Sequence, residues 1–148
     1  DAVRAFLERC PAGTTDGELH KVVQTHRKFF EKRLHQRPDR AYELVRDYLK
    51  GVREVMEAVW GENEKYMFTR DVTLKALIRV LADLLDDASL MAAWQEDRSP
   101  RPFRQLLQPW AEITKEFRAE GFYERFPAKG QVERVRRIHT RLLEVLGR

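Results

Sequence analysis

The amino-acid sequence predicts an all-α fold, a single compact bundle of about five to six helices. Apolar residues recur at spacings of three and four along most of the 148 residues, and no stretch of four or more residues alternates apolar with polar as a half-buried strand does. Glycine and proline fall almost entirely between these periodic stretches. Because domains cluster near ~100–150 residues, we expect 1–148 to form a single helical domain, with 1–15 as a loosely attached N-terminal segment.

The first two predicted helices each follow an aspartate that is placed to cap them. One covers about 18–34 behind Asp16, and the other runs from Asp39 to about Trp60. Gly51 interrupts the second pattern, and a glycine inside a helix costs about 1 kcal/mol relative to alanine. It indicates either a close crossing of another helix or simple tolerance of the residue.

The third predicted helix, 72–85, is apolar on most of its circumference and is expected to be the central one. Its polar residues, Lys75, Arg79 and Asp83, are spaced by four, which leaves one strip for solvent or for an ion pair between Arg79 and Asp83. A small bundle has little surface with which to cover such a helix. The surplus apolar surface therefore indicates self-association as an alternative role.

The next two segments are shorter or interrupted. Asp86 or Asp87 can cap a fourth segment that ends near Gln95. The pattern over 103–117 contains Pro109, which removes a helix hydrogen bond and clashes with the preceding turn. We expect a kink or two short helices there.

A loop containing Gly121, Pro127 and Gly130 precedes the last predicted helix, 132–146. Its inward-facing set is expected to be Val132, Val135, Ile138, Leu142, Val145 and Leu146. The apolar faces should meet in one core that holds Trp60, Leu77, Leu81, Trp110 and Leu142.

Positive charge is concentrated toward the two ends of the chain. The formal net charge is +4, with +4 over 18–40 and +5 over 125–148 against −4 over 41–124. An uneven basic protein of this kind suits a partner with phosphates, although an arginine-rich composition alone gives the same sum.

The candidate nucleic-acid contacts are eight basic residues in three groups. Three lysines line one side of the first predicted helix, and three arginines share one edge of the last helix, off its apolar stripe. Two more lie beside the aromatic residues Phe122, Tyr123 and Phe126, a mixture of stacking faces and positive charge used to hold single strands; the alternative is a loop anchored to the core by its phenylalanines. The eight are Lys21, Lys28, Lys32, Arg125, Lys129, Arg134, Arg137 and Arg141. Substitution along the arginine edge is expected to leave folding intact, and Arg136 is expected to project elsewhere.

The sequence contains few motifs that are typical of catalytic sites. Neither a P-loop nor a dinucleotide-binding glycine pattern occurs, and the lone Cys10 can form neither an intrachain disulfide nor a cysteine-based zinc site. The cluster of Asp83, Asp86 and Asp87, with His26 or His139, leaves a metal-dependent phosphohydrolase open, but helix capping explains aspartates at this position better. We expect a non-catalytic protein without metal or cofactor.

No apolar run approaches the roughly 18–20 residues of a membrane span, and no signal segment opens the chain. We expect a cytoplasmic protein that makes no use of a membrane. The first residue is Asp1 rather than methionine, which suggests a processed chain or a piece of a longer protein.

Several segments carry a resemblance to a known family. They are 48–55 (YLKGVREV) with Trp60, 75–81 (KALIRVL), 122–126 (FYERF) and the pair Gly130-Gln131. In this order they resemble the helical C-terminal part of the DGQHR-domain proteins, bacterial proteins similar to the DNA phosphorothioation regulator DndB. The name-giving Asp-Gly-Gln-His-Arg motif is absent, so no site residue is carried over. The resemblance implies a helical accessory module in a DNA-modification or phage-defence context.

Together these observations predict a non-catalytic helical interaction module with weak, non-specific binding to the phosphate backbone of DNA or RNA. The alternative is a dimerisation module or a docking domain for a protein partner, with no nucleic-acid role. Any dimer interface is expected to use apolar residues left over from the central helix or from 103–117.

Overall fold

The computed structural model describes residues 38–148, with side chains from Glu43 onward. The described part is built from helices, and it contains no strand beyond a single antiparallel bridge between Tyr66 and Arg118. The predicted all-α bundle is therefore confirmed. Its elements in chain order are α1 (Pro38–Val55), α2 (Asp71–Leu84), α3 (Ala88–Glu96), α4 (Arg101–Leu107), a 3₁₀ segment (Gln108–Phe117), α5 (Phe122–Arg125) and α6 (Gln131–Val145).

Part of the sequence-based interpretation lies outside the described residues. This applies to the N-terminal segment 1–15, to the predicted helix over 18–34 with its three candidate lysines, and to Cys10 and His26. The three lysines are Lys21, Lys28 and Lys32.

Helix α1 ends at Val55, earlier than the predicted end near Trp60. The chain continues in tight turns, in which the amides of Val59 and Trp60 both donate to the carbonyl of Met56 at 3.0 and 2.9 Å. Val59 and Trp60 are nevertheless buried. The apolar spacing thus identified the inward residues but could not separate a helix from a turn that buries the same side chains.

Gly51 marks a close crossing of α1 and α4. A Cβ atom at this position would lie 2.9 Å from Cβ of Phe103 and 3.1 Å from the backbone nitrogen of Arg104. On the same side of α1, the ring of Tyr48 meets that of Phe103 edge to face, with 5.7 Å between ring centroids. Of the two explanations offered for the glycine, the close crossing is correct.

Helices α2 and α6 run side by side in the same direction. Their first residues meet where Gln131 donates to Asp71 at 3.3 Å, and beyond their last turns Arg148 binds Asp87. This pairing brings Leu142 to the indole of Trp110, whose Nε1–H donates to the Leu142 carbonyl at 3.0 Å. The five predicted core residues are all buried in one cluster: Trp60, Leu77, Leu81, Trp110 and Leu142.

The expectation of surplus apolar surface on the central helix is wrong. Every apolar residue of α2 except the half-buried Ala82 is buried, including Leu74, Leu77 and Leu84. Among the described residues, the exposed large hydrophobic side chains are those of Tyr123 and Val132. The self-association hypothesis therefore loses the observation that prompted it.

Prolines and aspartates act at helix boundaries as predicted. Helix α4 ends at Leu107 and the chain tightens into the 3₁₀ segment, which carries Pro109 in its first turn. Asp87 caps α3 by accepting from the backbone N–H of Leu90 at 2.9 Å. Its hydrogen bond to Arg148 holds the pKa of the Asp87 carboxyl below its usual value, with the capping N–H adding to the shift.

Three local expectations are corrected. The loop before the last helix contains a short helix, α5, with Gly121 in the left-handed conformation ahead of it at φ 75°. Val132 is 76% exposed because it lies in the first turn of α6, outside the packed part of the helix. No ion pair joins Arg79 and Asp83 within the described chain; Asp83 instead lies 2.5 Å from Nε2 of His139, a contact between α2 and α6.

None of the described helices combines the length and the hydropathy that crossing a membrane requires.

Candidate nucleic-acid interface

An open cleft of about 540 Å³ lies between α6, α5 and the end of the 3₁₀ segment. Four arginines and two glutamates give its rim an excess of positive charge. Two further residues, Phe126 and Thr140, complete the lining. The lining residues are Glu116, Arg125, Phe126, Arg136, Arg137, Thr140, Arg141 and Glu144.

Arg141 is the structural member of this set. Its guanidinium donates to both carboxylate oxygens of Glu116, at 2.8 and 2.9 Å, and its third nitrogen lies 3.4 Å from Glu144. The hydrogen bonds to Glu116 raise the pKa of Arg141 above its ordinary value. A bidentate pair of this kind joins α6 to the 3₁₀ segment, so Arg141 has little capacity left for a phosphate.

Arg125 closes the turn between the 3₁₀ segment and α5. It donates to the backbone carbonyls of Glu116 at 2.8 Å and Glu120 at 2.9 Å, and also to that of Arg118. These acceptors are neutral, and no carboxylate among the described residues forms an ion pair with Arg125. Its charge therefore still contributes to the potential of the cleft, although its geometry is fixed.

Arg136 and Arg137 are the cationic groups that the cleft leaves most available. Arg137 is exposed and shares one ion pair with Glu133, at 3.3 Å. Arg136 is exposed and makes no hydrogen bond or ion pair with the described residues. An exposed guanidinium with free donors suits a phosphate oxygen, because its planar fork can bind in a bidentate manner.

Glu133 reduces the positive charge of Arg136 and Arg137 without neutralising it. The backbone N–H of Lys129 donates to its carboxylate at 3.0 Å and lowers the pKa of Glu133, and Arg137 and Arg136 add to the shift. Glu133 thus stabilises the start of α6 by binding back across the helix terminus. The ammonium group of Lys129, exposed at the same terminus, forms no ion pair with the described residues.

Arg134 lies one turn before Arg137, and its side chain binds the nearby backbone. It donates to the carbonyls of Phe126 at 2.9 Å and Ala128 at 3.4 Å, and its guanidinium lies 4.5 Å from the centroid of the Tyr123 ring. The premise that the arginine edge is free of structural contacts is therefore wrong for Arg134 and for Arg141.

The three residues of the aromatic cluster differ in burial. Phe122 and Phe126 are buried against Phe117 and anchor the loop to the core. Tyr123 alone remains accessible, with 55% of its surface exposed. Of the two interpretations of this cluster, the anchored loop holds for both phenylalanines, and a stacking role is possible only for the tyrosine.

Arg136 is the cleft residue that sequence reasoning missed. It was expected to project away from the arginine edge, yet it lines the cleft together with Arg137, Thr140 and Arg141. Its spacing of four from Thr140 is the signal that could have found it, since residues four apart share one helix face.

The aspartate cluster has its own partners. Asp83 contacts His139, Asp87 caps α3 and binds Arg148, and Asp86 also has an interaction partner. Within the described residues, no group of three or more histidine, cysteine, aspartate or glutamate side chains is arranged to hold a metal ion.

Comparisons of the chain with models of known families, with curated proteins and with solved structures gave no match. The similarity to DGQHR-domain proteins accordingly stays a prediction.

Proposed function

We propose that this chain is a non-catalytic helical module that binds nucleic-acid phosphates, weakly and without sequence preference, at the cleft beside α6. The observation that carries the proposal is the exposed pair Arg136 and Arg137. Both project from a packed helix into a cleft whose other two arginines are held rigidly.

The charge balance of the cleft supports this role. Arg141 neutralises the charge of Glu116 through a bidentate contact, and the charge of Glu144 is exceeded by those of Arg125, Arg136 and Arg137. Arg125 adds fixed positive charge that no carboxylate of the described chain pairs with. An entering phosphate would therefore meet positive potential and two guanidinium groups that need little rearrangement to bind it.

The proposed phosphate contacts are few, so the expected affinity is low. Binding of this kind gains chiefly from the release of condensed counterions, and non-specific dissociation constants are typically ~10⁻⁴–10⁻⁶ M at physiological salt. Such affinity suits an accessory module of a cytoplasmic DNA-modification or phage-defence protein, the context that the family resemblance implies. The full-length protein would supply any specificity.

The salt dependence of binding tests the proposal. In fluorescence anisotropy with a labelled duplex, log Kd should depend linearly on the logarithm of salt concentration, with a contribution of about 0.9 per neutralised phosphate. We expect the double variant Arg136→Gln, Arg137→Gln to reduce that slope by up to about 1.8, because two phosphate contacts are lost.

A matched control removes the same charge elsewhere. Arg101 and Arg104 are exposed on α4, and each forms one ion pair, with Asp97 and Glu54. The variant Arg101→Gln, Arg104→Gln should keep the wild-type slope. Absence of binding at low salt, or equal slopes for the two double variants, would refute the proposal.

A further inference from the structure

The Tyr123 ring is restrained by two neighbouring side chains. Arg134 covers one ring face at 4.5 Å and is itself anchored by two backbone carbonyls. Phe122, which is fully buried, also meets the tyrosine ring edge to face, with 5.7 Å between ring centroids. Even with these two neighbours, 55% of the residue is exposed.

Tyr123 and the cleft belong to the same two helices. Arg125, which lines the cleft, follows Tyr123 by two residues in α5. Arg134, which holds the ring, precedes Arg137 by three residues in α6, about one turn or roughly 5 Å along the axis. Tyr123 is therefore joined to the cleft through Arg125 in α5 and through Arg134 and Arg137 in α6, which lie on neighbouring positions of one helix edge.

We propose that the cleft takes single-stranded nucleic acid, with one base stacked on Tyr123 while Arg136 and Arg137 bind the adjoining phosphates. This inference rests on the proposed function and specifies its ligand. A duplex keeps its base faces inside its own stack, so it would use the arginines but not the tyrosine. A single strand offers both, and a base stacks on an aromatic ring regardless of its sequence.

The preorganised ring favours this role over a purely structural one. Arg134 and Phe122 restrict the tyrosine before any ligand binds, so stacking immobilises little further side-chain freedom. The hydroxyl group of Tyr123 has no hydrogen bond within the described chain, so nothing in this region requires a tyrosine rather than another ring. Phenylalanine at this position should preserve stacking.

The test compares two labelled oligomers with equal numbers of phosphates. One is oligo(dT) of about 15 nucleotides, and the other is an abasic strand of the same length. At low salt, the wild-type chain should bind oligo(dT) at least about fivefold more tightly than the abasic strand, since only the first can stack. Tyr123→Ala should remove this difference and leave duplex affinity unchanged within about twofold, while Tyr123→Phe retains the preference.

Val132→Ala serves as the control, because Val132 is the other exposed large apolar residue of the described chain and lies on α6. It should keep the wild-type preference for oligo(dT). Equal affinity of the wild type for both oligomers, or an unchanged preference in Tyr123→Ala, overturns the stacking inference while leaving phosphate binding in place. Failure to bind either oligomer or the duplex overturns both proposals.

Discussion

Replacing Asp47 with alanine is expected to lower the free energy of unfolding by about 3 kcal/mol, because it leaves a buried polar network without its acceptor. Asp47 is 1% exposed, and its carboxylate accepts from the indole N–H of Trp94 at 2.9 Å and from Arg46 at 3.2 Å. The Trp94 bond ties α3 to α1 across the inside of the bundle. Without it, a buried N–H loses its partner and a cavity remains beside it.

The variant Asp47→Asn provides the matched comparison. An asparagine can still accept the indole hydrogen bond. We therefore expect Asp47→Asn to lower the free energy of unfolding by roughly 1 kcal/mol, less than half the loss expected for alanine. Urea unfolding followed by far-UV circular dichroism measures both variants. Equal losses for alanine and asparagine would show that the carboxylate does not act as the acceptor described here.

Gly51→Leu is expected to destabilise the fold by about 3 kcal/mol, since the added side chain must push α1 and α4 apart. Even Gly51→Ala should be destabilising, although alanine at an open helix position gains about 1 kcal/mol over glycine. The reason is the close approach: the alanine Cβ would lie 2.9 Å from a side-chain atom of Phe103, and the carbonyl oxygen of Pro100 would lie only 3.2 Å away.

Gly130→Ala is the control for this prediction. Nothing lies within 4 Å of a Cβ at Gly130, and its φ of −156° suits any residue. The loss there should stay below about 1 kcal/mol, the modest cost of alanine at a helix N-cap. A stabilised Gly51→Ala variant in urea unfolding would contradict the packing described for α1 and α4.

Sequence periodicity predicted which side of each element faces inward, and it did so well where helices are long. Leu77, Leu81 and Leu142 are buried as expected, because the apolar stripes of α2 and α6 face the common core. Periodicity failed at element ends. Val132 continues the stripe of α6 in sequence, but it lies in the first turn of the helix, where its side chain stays exposed.

The candidate site was harder to predict for a related reason. Helix geometry alone places Arg134, Arg137 and Arg141 on one edge, but it cannot show what approaches that edge from elsewhere in the chain. Glu116 and the carbonyls of Phe126 and Ala128 occupy two of the three guanidinium groups, and these partners become neighbours only when the bundle forms. Arg136 stays available because no such partner in the described chain reaches it.

The central claim is that phosphates bind at the cleft beside α6, and nuclear magnetic resonance tests its location most directly. Titration of the ¹⁵N-labelled chain with oligo(dT) at low salt should shift the side-chain Nε–H signals of Arg136 and Arg137 and the amide signal of Thr140. The signals of Arg101 and Arg104 on α4 should stay in place. Shifts confined to residues 18–40, or spread equally over all exposed arginines, would contradict the assignment of the cleft as the binding site.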